Sequence, residues 1–321
     1  MQITRDLGRL LRRDPSLDVE SAERLWGAIL DGAVDSVEVG AAVAALAVGG
    51  EHEAELDGLY RAATARLAPW TPSLRGRAMK VPAYGAMPGE AAWVALIAAL
   101  LPRFGVPIIV HGVLDSPSGP SAAFVLREMG VLPSASLAEA DASLQASGAA
   151  FVPVQLLSSA FADLISLRAT LGIENSAHVV AQALDITRGM ATRITFSYPG
   201  TASERLVRLD AAAEADAVAL EWPLHLSPMQ VGARPCIERL HDGTRERLFE
   251  ADAADGRIAA LSLSEAPQAV AQWARRVAHG STPVPIPALN VVAACLYGVG
   301  QAGSLAQAKA VAAIQAGRLA A

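Results

Sequence analysis

The stretch VHGVLDSPSGPSAAFVLREMGV has residue types that could hold a phosphate group. Hydroxyl side chains stand before an apolar helical pattern, and hydroxyls together with free N–H groups at a helix start favour a bound anion. These hydroxyls belong to Ser116, Ser118 and Ser121. Ser121 can instead cap the helix predicted from Ala122 to Met129. The stretch therefore predicts either a phosphate site or a capped helix start.

Further side chains near this stretch could take part in binding. His111 and Gly112 follow VPIIV, an apolar β-branched run that is typical of a buried strand. A histidine there can exchange protons near neutral pH, or it can be a buried structural residue. Tyr84, beside Gly85, could stack on a base, and so could Trp93, which as a helix residue can equally belong to the core. No nucleophile–base arrangement or metal-ligand spacing accompanies them.

The elements that must position these residues change in kind along the chain. From Asp18 to Leu67 apolar residues recur at helical spacing, with breaks at Asp31-Gly32 and Gly49-Gly50, which predicts about four short helices in a small bundle. After a connector rich in proline and arginine, the pattern becomes strand, glycine turn, helix, as in a parallel sheet. The predicted strands are Met79–Ala83, Val106–Val110, Ala150–Val154, Arg193–Tyr198, Ala217–Leu220 and Glu246–Phe249.

We therefore expect an α/β fold: a small helical-bundle domain, and a larger domain with a mainly parallel central β-sheet flanked by helices. The chain has 321 residues, of which 52% are hydrophobic, so it can bury a sizeable core. Its net charge of −6 argues against a wholly basic DNA-packaging surface but leaves room for a local arginine-rich one.

Location is also constrained by composition. No apolar run reaches the length of about 20 residues that spans a membrane, and the N-terminus lacks the pattern of a signal peptide. The two cysteines, Cys236 and Cys295, form no disulfide framework. We expect no membrane segment and a cytoplasmic location.

Four motifs, in order, resemble the anthranilate phosphoribosyltransferase family, also called the class III phosphoribosyltransferase and nucleoside phosphorylase fold. They are AERLWGAILDGAVDSVEVGAAVAALAVGGEHEAELDGL, VHGVLDSPSGPSAAFVLREMGV, LRATLGIENSAH and ALNVVAACLYGVGQAGSLAQAKAVAAIQAGRL. The resemblance covers nearly the whole chain. It implies a helical domain of residues 1–72 with a helical insert at about 157–182, an α/β domain of residues 76–156 and 183–321, and a homodimer joined through the helical domains.

Most of the family's phosphate- and metal-binding groups are replaced here. The glycine-rich first loop corresponds to Pro82-Ala83-Tyr84-Gly85-Ala86, where one glycine remains. In the second loop only His111 and Gly112 match, because valine and leucine stand where the family has lysine, asparagine and arginine. Glu221 is followed by Trp222 where the family has an adjacent Asp-Glu pair that carries magnesium.

The acceptor-binding segment is also altered. Arg168 matches the family's first arginine, whereas Glu174 reverses the charge of the second and His178 replaces an asparagine. We therefore expect no catalytic residue, with His111 and Arg168 as vestiges of a site. We expect no metal and no cofactor, and Mg²⁺ enters only if the chain is a transferase after all.

One branch of the family, the YbiB-type proteins, keeps the fold without the catalytic motifs, and its members are regarded as nucleic-acid binders without sequence specificity. The opening ITRDLGRLLRRD, the VPAYGA turn and LGIENSAH resemble this branch. The resemblance implies that a groove between the domains binds nucleic acid or another phosphorylated ligand. The ligand contacts expected there are Tyr84, Gly85, His111, Gly112, Ser116, Ser118, Ser121, Arg168 and His178.

Basic side chains near the loops, the hinge and the first helix could bind a single- or double-stranded nucleic-acid backbone through counterion release. They are Arg9, Arg12, Arg13, Arg75, Arg77, Lys80, Arg103, Arg188 and Arg193, together with Arg168. Because the chain is acidic, we expect this binding to be weak and sensitive to salt. Two alternatives stay open: a phosphoribosyltransferase that uses phosphoribosyl pyrophosphate with an altered acceptor, and a structural or protein-binding dimer.

Overall fold

The computed structural model describes residues 2–12, 16–74, 76–85, 89–116, 119–197, 216–222, 233–252 and 266–319. The chain divides into two compact units, one made of Met1–Trp70 and Val154–Ile186 and the other of Thr71–Pro153 and Thr187–Ala321. Across the described residues, no helix combines the length and the apolar character needed to cross a bilayer.

The elements run as follows along the chain: α1 (Gln2–Arg12), α2 (Val19–Leu30), α3 (Ser36–Gly49), α4 (Glu53–Thr64), β1 (Ala78–Ala83), α5 (Glu90–Leu100), a 3-10 turn (Leu101–Phe104), β2 (Ile108–Gly112), α6 (Ala122–Glu128), α7 (Leu137–Ser147), β3 (Ala149–Pro153), α8 (Val154–Leu157), α9 (Ser159–Leu171), α10 (Ser176–Ala183), β4 (Ala191–Ser197), β5 (Ala217–Glu221), β6 (Cys236–His241), β7 (Thr244–Phe249), α11 (Pro267–Ala278), α12 (Ile286–Gly298) and α13 (Leu305–Leu319).

The first unit is helical, and its helices begin at capping residues that the sequence supplies. The Asp18 side chain accepts a hydrogen bond from the backbone N–H of Ser21 at the start of α2. Asp35 and Glu38 form a reciprocal capping box at the start of α3. The predicted breaks after α2 and after α3 are confirmed.

Helices α2 and α4 pack at very short range, and a glycine allows it. A Cβ atom added to Gly58 would lie 2.5 Å from Ala22 Cβ and 2.6 Å from the backbone N of Glu23. No side chain fits between the two helix backbones at this point, so the helix pair depends on glycine there.

The second unit contains a seven-stranded sheet with the order β3-β2-β1-β4-β5-β6-β7. Strands β1 to β5 pair in parallel, and β6 and β7 continue the sheet as an antiparallel hairpin. The predicted α/β class and mainly parallel sheet are confirmed. The hairpin turns at Asp242 and Gly243, whose φ angles of +48° and +69° suit the right-handed twist of a two-residue turn.

The two faces of the central strands differ in chemistry. One face carries Met79, Val81 and Val110 into an apolar core that also holds a Trp93–Trp222 contact with ring centroids 4.9 Å apart. The opposite face carries polar groups, because side chains alternate along a strand. Lys80 pairs in register with Arg193, and His111 pairs with Pro82 two residues further along, so Lys80, Arg193 and His111 share that face.

Candidate functional site

The ends of β1 and β2 hold a buried pair of side chains from the two predicted ligand loops. Tyr84 follows β1 directly, and His111 lies one residue before the end of β2. Tyr84 Oη and His111 Nδ1 are 2.8 Å apart, and their rings meet edge to face with centroids 5.4 Å apart. Both side chains are buried. The two loops therefore bind each other through the residues that were expected to bind a ligand.

Electrostatics keep this pair uncharged. Burial lowers the pKa of His111 well below its usual range, and the positive charges of Lys80 and Arg193 lower it further. Burial also raises the pKa of Tyr84 far above its usual value, and the charge of Glu90 adds to this. A neutral phenol and a neutral imidazole thus share one hydrogen bond. A histidine held neutral in this way does not act as an acid near pH 7.

The first loop also contains a hydrogen bond between a backbone N–H and a carboxylate of the chain. The backbone N–H of Gly85 donates to Glu90 Oε1 at 2.9 Å. Glu90 is the first residue of α5 and is buried. A loop N–H group followed by a helix N-terminus is an arrangement that attracts anions. Here Glu90 supplies that negative charge internally, a role that the sequence analysis missed.

Gly112 has a packing role at the end of β2. A Cβ atom at Gly112 would lie 1.9 Å from the backbone oxygen of Ala83, so only glycine permits this approach of β2 to β1. The next residue, Val113, donates its N–H to the same oxygen at 3.1 Å. The end of the second loop is thereby closed against the first.

The serine cluster divides into separate parts. Ser121 caps α6: its hydroxyl donates to the backbone oxygen of Leu114 at 2.6 Å and accepts from the N–H of Phe124 at 3.3 Å. The capping alternative for Ser121 is therefore confirmed. Ser116 is half-buried, and Ser118 lies outside the described residues.

In the helical unit, the expected acceptor-binding arginine is paired with an acid of the same segment. Arg168 Nη1 lies 3.1 Å from Glu174 Oε1. Burial raises the pKa of Glu174, and the positive charge of Arg168 opposes that shift. The charge reversal noted in the sequence thus produces an internal ion pair in place of a cationic pocket.

His178 belongs to the start of α10. The backbone N–H of Asn175 donates to His178 Nδ1 at 3.3 Å, and Asn175 Oδ1 accepts from the N–H of Ala177 at 3.0 Å, which together form a capping box. Burial, helped by the nearby Arg168 charge, lowers the pKa of His178 to about 4. The imidazole therefore supports helix geometry in its neutral form.

At the end of β5, the described residues include one acid beside a tryptophan. Glu221 ends β5, and Trp222, which stands where a second acid would be needed, packs on Trp93. Within the described residues, the cluster close enough to hold a metal ion is Asp216, His241 and Asp242, all in the second unit.

That cluster is explained by ion pairs among its own residues. Asp216 Oδ1 is 2.6 Å from His241 Nδ1, and Asp216 Oδ2 is 2.8 Å from Arg77 Nη2. An arginine already neutralises the central carboxylate, so the arrangement does not resemble a cation site.

The basic residues predicted to bind nucleic acid fall into distinct environments. Lys80 and Arg193 are each only 1% exposed, on the polar face of the sheet. Their prediction as surface contacts is wrong, because a buried side chain cannot reach a nucleic-acid backbone. Arg77 is tied to Asp216 and to Thr192 Oγ1, the latter at 2.8 Å.

The remaining predicted arginines lie nearer the surface. Arg9 lies 3.3 Å from the backbone oxygen of Ser16, to which it donates, and 3.9 Å from Asp18. Arg12 and Arg188 are exposed, and Arg103 is exposed beside His279. Arg13 and Arg75 lie outside the described residues.

The chain is similar to known proteins in sequence and in fold. No known protein-family profile matches the chain. The chain is 28% identical over 312 residues to the uncharacterized protein YbiB of Escherichia coli (strain K12), which covers 95% of each chain. It is also 32% identical over 162 residues to the anthranilate phosphoribosyltransferase of Methylocella silvestris, which covers 49% of this chain and 45% of that protein.

Solved structures cover the chain almost completely. Anthranilate phosphoribosyltransferase from Thermus thermophilus superimposes with a TM-score of 0.70 at 20% identity, over 98% of this chain and 97% of that chain. The fold is that of anthranilate phosphoribosyltransferase. The enzyme from Saccharomyces cerevisiae, solved in complex with phosphoribosyl pyrophosphate and magnesium, gives a TM-score of 0.72 at 15% identity over 99% of this chain and 95% of that chain. The resemblance to the anthranilate phosphoribosyltransferase-like family, and to YbiB, is confirmed.

Proposed function

We propose that this chain is a catalytically silent protein with the anthranilate phosphoribosyltransferase fold, and that it binds nucleic acid without sequence specificity. The observation that carries the first half is the closure of both ligand loops by the chain's own side chains. Tyr84 bonds to His111 across the two loops, and Glu90 accepts from the backbone N–H of Gly85. A diphosphate would need the space that Tyr84 and His111 fill, and it would need the N–H group of Gly85 that Glu90 occupies.

The acceptor side supports the same proposal. An aromatic amine with a carboxylate would need a free cation, but Arg168 is paired with Glu174 at 3.1 Å. Magnesium chemistry would need two carboxylates near β5, where Glu221 stands beside a tryptophan. Loss of several such groups together leaves negligible transition-state stabilisation.

The proposed lack of transferase activity is tested with phosphoribosyl pyrophosphate and Mg²⁺. A ligand that binds the native state at about 100 times its Kd raises stability by about 2.7 kcal/mol, which a thermal melt detects. We expect no shift in melting temperature and no product with a panel of aromatic amines and bases. An active anthranilate phosphoribosyltransferase measured alongside serves as the positive control. Product formation would overturn this half and establish the alternative of a transferase with another acceptor.

Nucleic-acid binding is tested by fluorescence anisotropy with a labelled single strand of about 20 nucleotides. Because backbone binding releases counterions, we expect binding at about 50 mM salt that collapses by about 200 mM. A duplex of the same length and an unrelated sequence should bind within a few-fold, since phosphate contacts carry no sequence information. No binding at tens of micromolar protein would overturn this half of the proposal.

We also propose that the protein is a homodimer joined through its helical units. The outward side of α3 supports this, because it is apolar although it is not covered by the chain itself. Val37 and Val48 on that side are 78% and 89% exposed. Between them the same side carries only small residues, namely Gly40, Ala41 and Ala44. A cytoplasmic location stays a prediction.

A further inference from the structure

Three helix ends of the second unit meet at one place on its surface. Arg103, in the 3-10 turn after α5, donates from Nη2 to Nδ1 of His279, which follows α11, at 2.8 Å. Arg275, in the last turn of α11, donates to the backbone oxygen of Glu128 at the end of α6. The ends of α5, α6 and α11 are thus joined through arginine side chains.

These ends carry a group of basic side chains, which we call the arginine strip. Arg127 lies on α6 with its Nη2 3.8 Å from Glu128 Oε1. Arg275, Arg276 and His279 lie within one turn of each other at the end of α11, where neighbours three and four apart are about 5–6 Å apart. The arginine strip consists of Arg103, Arg127, Arg275, Arg276 and His279, with Phe124 and Glu128.

Charge is segregated at this surface. Four arginines and one glutamate give the arginine strip a net charge of +3 with neutral histidine, whereas the whole chain carries −6. Helix α11 contains no acidic residue. Arg276 is exposed and has no ion-pair partner among the described residues. An acidic protein that keeps four arginines together retains a strong local attraction for anions.

A purely structural explanation accounts for only part of this surface. Arginine in the last turn of a helix complements the helix dipole, and Arg275 caps a carbonyl of α6. Each arginine taken alone is explained in this way. The dipole does not explain why hydrogen bonds of arginines join three helix ends, or why an exposed aromatic ring lies beside one of the arginines.

The ring in question is Phe124, and it points to a nucleic acid rather than to a simple anion. Phe124 is 40% exposed, and the Arg127 guanidinium lies 5.6 Å from its ring centroid. Guanidinium groups match phosphate oxygens with paired donors, and an exposed ring or guanidinium plane offers a stacking surface for a base. This interleaving of cations and an aromatic is typical of surfaces that follow a single strand.

We propose that the arginine strip is the surface through which this protein binds the phosphodiester backbone of nucleic acid. The assignment rests on the proposed nucleic-acid binding and replaces the contacts expected from Lys80 and Arg193, which are buried. The sequence signal for it is the Arg275-Arg276 pair followed three residues later by His279. That signal becomes specific only when α6 and the 3-10 turn add Arg127 and Arg103.

The test compares two double variants with the wild type in the anisotropy assay. Arg127→Gln with Arg276→Gln removes two charges from the arginine strip, and both side chains are exposed, so folding is preserved. We expect affinity for the single strand to fall at least about tenfold at low salt. The slope of log Kobs against log salt should fall by about 1.4, which is about 0.7 for each lost phosphate contact.

The matched control is Arg61→Gln with Lys309→Gln, which removes two exposed charges elsewhere on the chain. The control should bind within about twofold of the wild type. If the wild type binds and both double variants weaken equally, or neither weakens, the arginine strip is not the site although nucleic-acid binding stands. If the wild type itself does not bind, the proposed function fails, and this inference fails with it.

A competition experiment separates a nucleic acid from an acidic protein segment. Polyglutamate of matched charge should displace the labelled strand at least about tenfold less well than unlabelled oligothymidylate, because it offers neither phosphate forks nor bases. Phe124→Leu should weaken oligothymidylate several-fold and leave polyglutamate unaffected. Equal competition by the two polymers would overturn the assignment and favour an acidic protein partner.

Discussion

Tyr84 Oη and His111 Nδ1 satisfy each other in a buried place, whereas His111 Nε2 is buried with no hydrogen-bond partner among the described residues. The buried Tyr84 ring would be costly without a hydrogen-bond partner for its hydroxyl. His111 Nδ1 is that partner at 2.8 Å. Tyr84 and His111 therefore form one hydrogen-bonded unit that joins the two loops.

Removing the tyrosine hydroxyl should show how much the Tyr84–His111 hydrogen bond stabilises the folded protein. Tyr84→Phe leaves a buried imidazole nitrogen without its partner, so we expect the free energy of unfolding to fall by about 1–3 kcal/mol. Urea unfolding measures it. Tyr297→Phe is the control, because that hydroxyl donates to Glu246 at 3.2 Å on the surface. Equal losses in the two variants would contradict a special role for the Tyr84–His111 pair.

His178 makes stability depend on pH in a defined window. Its pKa is about 4 in the folded protein and 6.5 in the reference state, so between these values the unfolded chain binds more protons. Stability is therefore full above about pH 6.5 and is lost progressively as pH falls toward 4, by about 2–4 kcal/mol for this residue.

Substitution by glutamine isolates that contribution. His178→Gln keeps an acceptor for the Asn175 N–H in the capping box but removes the titrating group. In urea unfolding we expect the variant to match the wild type at about pH 8 and to lose less stability between about pH 6.5 and 4. An unchanged pH profile would show that His178 is not the group responsible.

Sequence reasoning identified the residues of the loops but not their partners. The charge reversal at Glu174 and the intrusion of Tyr84 were readable from the motifs. The pairing of Tyr84 with His111, and the turn of Glu90 onto Gly85, depend on contacts between separate segments. Lys80 and Arg193 were misplaced because a central strand is buried on both faces, and alternation along one strand does not reveal what covers the second face.

Among the elements, strand β6 of the β6–β7 hairpin was not predicted from the sequence. The strand Glu246–Phe249 was predicted, yet CIERLH before it was not assigned, although the Asp242-Gly243 turn between them is of a kind that joins two strands. Two charged residues interrupt the apolar alternation in CIERLH. Both pair across the hairpin, Glu238 with Arg245 and Arg247, and Arg239 with Glu246.

The α2–α4 contact makes a prediction for two glycines that look alike in the sequence. Alanine is normally the better helix residue, yet Gly58→Ala should lower the free energy of unfolding by about 1–3 kcal/mol, because its Cβ would collide with α2. Gly317→Ala, in α13 with open space around it, should be neutral or stabilising by up to about 1 kcal/mol. Chemical denaturation of both variants measures the contrast. Stabilisation by Gly58→Ala would disprove the close packing.

For the whole molecule, the order of motifs was sufficient to predict the fold, because each motif specifies a local element and short connections limit the ways of joining them. The arginine strip could not be predicted from the order of motifs. Its members are far apart in sequence and become neighbours only when three helices end together. Long-range convergence of this kind requires coordinates.

The proposed dimer makes a prediction at the same scale. Val48→Glu places a charge on the outward side of α3, where a second copy would bury it, so we expect the dissociation constant to rise at least about 100-fold. Sedimentation equilibrium measures the change. Ile286→Glu, at a position 70% exposed in the other unit, should leave the dimer intact. A monomeric wild type, or a Val48→Glu variant as dimeric as the wild type, would contradict the proposal.

The Tyr84–His111 bond also bears on redesign of this chain. Changing Tyr84 alone to glycine would open a cavity and leave the His111 imidazole without its hydrogen-bond partner, while Glu90 would still accept from the Gly85 amide and Glu174 would still pair with Arg168. Each contact would thus persist when only one of the others is removed. Opening these loops to a diphosphate by design should therefore take several substitutions made together, and Tyr84→Gly alone should yield a less stable protein without a new phosphate site.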